Sequence, residues 1–195
     1  MKRKAYLMVF DGLADWEPAH ALCEINKSGK FEIVTVGFSR ETVTTMGGLK
    51  LAPEITIDEI NPDDAAIFIL FGGDMWQEKG RPEVDALLQR LHQNNVLIGA
   101  LCAATLEIAR AGLTQGIRHT SNAKSFLKMM VPGYRDESLY VDELAVTDQN
   151  IITASGLGSI EFGREVIRQL GLYSKTDTET WYGMFKHGLI PAGTV

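Results

Sequence analysis

The chain has 195 residues, 45% hydrophobic and 23% charged, which suits one buried α/β core as a single domain over residues 1–195. A formal net charge of -6 and a pI near 5.2 exclude the clustered basic surface that nucleic-acid binding needs. No apolar run reaches membrane-spanning length, and the stretch after Lys2-Arg3-Lys4 meets Asp11 too early for a secretory core segment.

Short apolar runs alternate with amphipathic stretches, the pattern of βαβ units around a mostly parallel sheet. Ala5 to Phe10 reads as a buried strand ended by Asp11-Gly12, and Trp16 to Ser28 as a helix stopped by Gly29. Phe31 to Gly37 is a second strand. Val43 to Ile57, broken at Gly47-Gly48, reads as a hairpin or edge-strand excursion. Ala65 to Phe71 is a third core strand and runs straight into Gly72-Gly73-Asp74. Arg81-Pro82-Glu83 opens a helix to His92, with proline near its first position.

Val96 to Leu101 is a further apolar strand with Cys102 at its end, followed by a helix from Ala103 to Ala111 closed by Gly112. Arg118 to Ser121 reads as a short strand and Ala123 to Met130 as a helix. Tyr140 to Val146 and Ile151 to Ala154 read as strands joined by a turn at Asp148-Gln149-Asn150. A glycine-rich link from Ser155 to Ser159 leads into a helix from Ile160 to Leu170. In the tail, Trp181, Met184, Phe185 and Leu189 fall near one helical face, a packed face or a subunit contact.

The chemistry concentrates between Val96 and Leu106. An apolar strand turns into a helix with no loop, the junction residue is Cys102, and Gly99, Ala100, Ala103 and Ala104 crowd around it. A sharp strand-to-helix turn needs such small neighbours and pushes the junction side chain out over the first helical turn. Free amides and the positive helix end there favour a thiolate. The competing use of Cys102 is as a small buried hydrophobe. Its position at the end of a central strand, where open α/β sheets bind ligands, favours chemistry. Gly72 and Gly73 end the preceding core strand, and the amides of Gly73 and Ala103 are candidates for an oxyanion hole. Cys23 and Cys102 lack metal-type spacing and read as reduced thiols of a cytoplasmic protein.

Four stretches together resemble the PfpI-like superfamily, within the class I glutamine amidotransferase-like group of flavodoxin-like folds. They are Val9-Phe10-Asp11-Gly12 with Glu17-Pro18-Ala19, Phe71-Gly72-Gly73-Asp74, Ala100-Leu101-Cys102-Ala103-Ala104, and Thr153-Ala154-Ser155-Gly156. The resemblance implies a three-layer sandwich, a nucleophilic or redox-active Cys102, and a glutamate, matched by Glu17, hydrogen-bonded to its sulfur. A carboxyl beside a thiolate should keep its proton through like-charge repulsion and donate a hydrogen bond to the sulfur. Family peptidases carry a histidine directly after the cysteine, where this chain has Ala103, and others carry one where Asn122 stands. His119 is the nearest substitute, so no Cys-His-acid triad is assigned. Ser159-Ile160-Glu161 lacks the histidine that glutaminase activity needs.

The remaining expectations are modest. Asp74, Asn122, Ser155 and Gly156 are placed around the substrate, although for Asp74 capping a helix is the favoured use. Glu17 and His20 have spacing for one helix face, but without a third ligand no metal is expected, nor any cofactor. The expected activity is hydrolysis or hydration at a small carbonyl or amide-like centre, with a stress-protective redox sensor as the alternative. The resemblance and the apolar tail suggest a homodimer.

Overall fold

In the computed structural model, which describes residues 2–190, the apolar runs lie side by side in one sheet. β1 (Arg3–Met8) is followed by α1 (Ala19–Ser28), and β2 (Phe31–Gly37) by an antiparallel hairpin of β3 (Val43–Thr44) and β4 (Lys50–Leu51). β5 (Ile55–Thr56) rejoins the sheet beside β2. β6 (Ala65–Leu70), α2 (Pro82–Gln93), β7 (Leu97–Leu101) and α3 (Thr105–Arg110) form the central units. After α4 (Lys124–Met130) come the antiparallel pair β8 (Ala145–Asp148) and β9 (Ile151–Ala154), then α5 (Ser159–Gln169) and α6 (Lys175–His187).

The seven-stranded sheet has the order β5-β2-β1-β6-β7-β9-β8, and β8 alone runs antiparallel to its neighbour. β6 and β7 are buried at every position, as parallel strands covered by helices on both faces must be. This is the flavodoxin-like three-layer architecture. A Cβ at Gly99 would lie 2.6 Å from the Phe162 ring, so a glycine in β7 is what lets α5 seat against the sheet.

Several elements differ from the expectation, each for a local reason. α1 begins at Ala19 rather than Trp16, because Pro18 occupies its N-cap and residues 15–18 are a turn. The helix after Cys102 is a 3-10 turn over Cys102–Ala104 before α3. Arg118 to Ser121 is not a strand: His119 makes one isolated bridge to Tyr140. The N–H groups of Arg118 and Thr120 go instead to the side chains of Asp148 and Thr153, at 2.8 and 2.9 Å. Tyr140 to Val146 shortens to β8, whose approach is a bend where the Leu144 carbonyl accepts the Ser155 amide.

Strand order reverses between β1, which leads to β2, and β6, which leads to β7. Ligands of open α/β sheets bind outside the strand C-termini near such a reversal. Cys102 follows β7, and its two flanks are the loops after β6 and β9, which carry Gly72-Gly73 and Ser155-Gly156.

Candidate active site

Cys102 sits at the elbow with φ 54°, a left-handed conformation that costs about 1–2 kcal/mol for a residue with a Cβ. The Thr105 hydroxyl donates to the Cys102 carbonyl at 2.6 Å and meets Ser121 Oγ at 2.6 Å, which holds the strained bend from below. Two glycines bring backbone against the sulfur. A Cβ at Gly72 would lie 3.0 Å from Sγ and one at Gly156 2.9 Å, so any other residue would fill the approach to it.

Glu17 reaches this point because it lies just before α1, outside the helix. Its side chain is fully buried and Oε2 accepts the Gly72 amide at 2.6 Å. Oε1 is turned toward Cys102 and has no partner of good hydrogen-bond geometry among the described residues. Burial pushes the Glu17 carboxyl above its ordinary range, against the pull of the Gly72 amide and the Cys102 contact. Burial also pushes the Cys102 thiol up; the Asn122 amide lowers it, the Glu17 charge raises it, and the Ala103 amide lowers it. The Glu17 charge disfavours a thiolate beside it, which links the protonation of the two groups. With a proton on Glu17 the like-charge repulsion disappears and the carboxyl can donate to a thiolate.

Asn122 closes the other flank. Its Nδ2 donates to Sγ at 3.3 Å and its Oδ1 accepts the Gly156 amide at 2.9 Å, so it ties the loop after β9 to the sulfur. The Gly73 amide has no acceptor among the described residues, whereas Ala103 N–H is directed at the sulfur. Gly72 was read with the oxyanion amides, but its N–H is spent on Glu17, so it positions the acid instead.

His119 lies elsewhere. It is fully buried, Nδ1 pairs with the Ile117 carbonyl at 2.9 Å and Nε2 with the Tyr134 hydroxyl at 2.7 Å. Both ring nitrogens are thus engaged in packing the 117–140 region, and burial lowers the pKa of the ring. Asp74 is exposed and accepts from Gln77 at 3.0 Å, and Ser155 Oγ accepts the Leu157 amide at 3.3 Å. Glu17 and His20 part company, Glu17 toward Cys102 and His20 against Trp181 and Phe185. Cys23 and Cys102 are free thiols. Of the tail residues, Trp181 is buried while Met184, Phe185 and Leu189 remain exposed.

Sequence reasoning missed Thr105, Ser121 and Trp76. Trp76 brackets the glycine turn: Nε1 donates to the Phe71 carbonyl at 2.8 Å and its backbone N–H to Gly73 at 3.3 Å. A threonine three residues after the elbow was the available signal, since its hydroxyl naturally bonds back to the i−3 carbonyl.

The DJ-1/PfpI family model matches residues 3–169, the whole described sheet and its helices through α5. The chain belongs to the DJ-1/PfpI family. Among its relatives, the uncharacterized protease YoaZ of Bacillus subtilis is 34% identical over 191 residues, spanning 94% of this chain and 91% of that one. A thiJ/pfpI family protein from Bacillus anthracis superposes with a TM-score of 0.90 at 32% identity, covering 97% of this chain and 92% of that one. The glutathione-independent glyoxalase DJR-1.2 of Caenorhabditis elegans is 26% identical over 152 residues, 77% of this chain and 79% of its own. α6 lies beyond the region the DJ-1/PfpI model matches.

Proposed function

We propose that the chain is a cysteine-dependent enzyme acting on a small carbonyl or amide-like substrate. The observation that carries this reading is Cys102 held on a positive-φ elbow, with the buried Glu17 carboxyl turned toward it and the Ala103 N–H directed at its sulfur. In the proposed reaction the Cys102 thiolate adds to the carbonyl carbon, and the oxyanion settles against the Gly73 and Ala103 amides. Glu17 delivers its proton to the substrate oxygen or leaving group and takes one back from the attacking water, with no net change. With a small 2-oxoaldehyde, the Glu17 carboxylate left after protonating the oxyanion takes the hemithioacetal C1 proton and returns it to C2 through an enediol. Water then hydrolyses the resulting thioester to the 2-hydroxy acid. A small amide instead loses its amine and leaves as carboxylic acid, each reaction consuming one water. The narrow approach between Gly72 and Gly156, and the lack of a histidine after Cys102, favour small molecules over peptides. The relatives named protease and glyoxalase support carbonyl chemistry in general.

Turnover of methylglyoxal and of simple amides by the purified chain tests the reading. Cys102→Ser should lower any such turnover by about 10³-fold or more, while Cys23→Ser should not. Equal turnover in Cys102→Ser ends the proposal.

Oxidation of Cys102 by peroxide to a sulfinate is the second reading. The donors already aimed at the sulfur, Asn122 Nδ2 and Ala103 N–H, are those a sulfinate oxygen would use. Mass spectrometry after mild peroxide should find two added oxygens on Cys102 before any on Cys23; the reverse order removes this reading. A cytoplasmic homodimer with the outer face of α6 at its contact belongs to the same proposal. Sedimentation of the chain and of Phe185→Glu measures it, and a wild-type monomer rejects it. No described helix is long and apolar enough to cross a membrane.

A further inference from the structure

α2 and α3 meet beside the segment that follows Gly73, and they bury charge there. Glu107 of α3 is fully buried, and its carboxylate pairs with the Arg110 guanidinium and accepts the Arg81 backbone N–H at 3.2 Å. Asp85 of α2 faces the same carboxylate, with Oδ1 sealed from solvent and unpartnered among the described residues. Arg110 reaches onward, donating to the Trp76 carbonyl at 2.8 Å and to the Glu78 carbonyl at 3.5 Å. Trp76 in turn holds the turn of Phe71 to Gly73 through its indole and its backbone N–H. A continuous chain of contacts therefore runs from Asp85 to Gly73, whose amide has no acceptor among the described residues.

We propose that Asp85, Glu107 and Arg110 form a proton-gated positioning device for the Gly73 amide, closed while Asp85 holds its proton and loosened when Asp85 ionises beside Glu107. The catalytic consequence rests on the proposed role of that amide; the conformational part does not. Asp85 faces Glu107 and Arg110 from α3 and Glu83 from its own helix. The Arg81 guanidinium is engaged on the Phe38 ring at 5.3 Å, which leaves Arg110, already paired with Glu107, to serve Asp85 as well once Asp85 is charged. A single guanidinium in a water-poor space cannot neutralise two carboxylates, and the strain falls on the contacts it makes to Trp76 and Glu78.

Burial first, and the Glu107 charge second, raise Asp85 from 3.8 to about 7 in the closed arrangement. Once the segment opens, water reaches Asp85 and its carboxyl ionises near the ordinary value. Opening therefore releases a proton, so rising pH favours it between those limits and has no further effect above about 7.

Hydrogen exchange of the full chain from pH 5 to 8, corrected for intrinsic base catalysis, reads the device directly. Protection of residues 72–81 should fall about fiftyfold between pH 5 and pH 7 and then level off. Asp85→Asn should keep the pH 5 protection throughout; Asp85→Ser serves if the asparagine variant folds poorly. In parallel, the pH profile of turnover on methylglyoxal should lose its neutral-range inflection in the same variant. Flat wild-type protection overturns the proposal, and so does an undiminished slope in both variants. Loop exchange that responds as stated without any turnover leaves the device standing and removes the enzyme reading; turnover with flat exchange does the reverse.

Discussion

Glu17 and Glu107 are both carboxyls with no solvent exposure, yet the protein surrounds them in opposite ways. Glu107 has a guanidinium on one oxygen and a backbone N–H on the other. Glu17 has one amide, a thiol and no cation among its described partners. Burial alone thus does not decide what an acid does. A paired carboxylate is a fastening, whereas an unpaired one is pushed to keep its proton, and a proton held beside sulfur is useful to a nucleophile.

The largest effect should come from unmaking the fastening. Glu107→Ala strands Arg110 against the Trp76 carbonyl with its carboxylate gone, and a broken buried pair costs about 3–5 kcal/mol. Removing Glu17 as Glu17→Ala leaves one buried Gly72 N–H without an acceptor, a loss of about 1–3 kcal/mol. Urea denaturation of the two variants at pH 7 measures the gap. Equal losses would break the distinction between fastening and proton holder.

Next is the space that Glu17 and the sulfur share. Gly156→Ala puts a Cβ 2.9 Å from Sγ and 3.1 Å from the Cys102 Cβ, where something must move. Alkylation of Cys102 by iodoacetamide should slow about tenfold or more, with stability changed far less than in Glu107→Ala. An unchanged rate would show that reagents reach the sulfur from another side.

The architecture was readable from residues alone because β6 and β7 are uninterrupted apolar runs and the glycines stand at their ends. The elbow was readable for the same reason: small residues crowd only where backbone crosses closely. What escaped is chemistry made by long-range contact. Nothing local in Arg118-His119-Thr120 says that its N–H groups bond to the side chains of Asp148 and Thr153, so a strand was the natural reading. Nor could spacing reveal that both nitrogens of His119 would be taken up by Ile117 and Tyr134. The family resemblance, not periodicity, singled out Glu17, and Asp85 and Glu107 look like ordinary surface acids of two helices until those helices are packed.

A titration separates the two acids more finely. In the folded chain Glu17 keeps its proton after the unfolded chain has lost it, so wild-type stability falls as pH rises from the ordinary carboxylate range through the raised Glu17 value. Glutamine does not titrate. Glu17→Gln should therefore gain on wild type across that window, on the order of 1 kcal/mol, and hold the gain above it. Its Oε1 can still accept the Gly72 amide while Nε2 donates to sulfur, so the variant imitates the protonated acid. Cys102 alkylation should accordingly titrate in two steps in wild type and one in Glu17→Gln. Identical single-step curves would mean that the groups are not coupled.

Asn122→Ala should give the smallest effect. Its amide is the principal group drawing the Cys102 thiol down, opposing burial and the Glu17 charge. Removing it takes away one hydrogen bond to sulfur at 3.3 Å and frees the Gly156 amide, which lies in an exposed contact where water replaces the lost oxygen. Stability should hence change by less than about 1 kcal/mol, while the alkylation midpoint moves to higher pH and the neutral-pH rate drops a few-fold. Asn122→Asp sharpens the point, because a second carboxylate beside sulfur raises the thiol further instead of merely ceasing to lower it. If the aspartate variant reacts faster than the alanine one at pH 7, the amide is acting on the position of the sulfur and not on its proton.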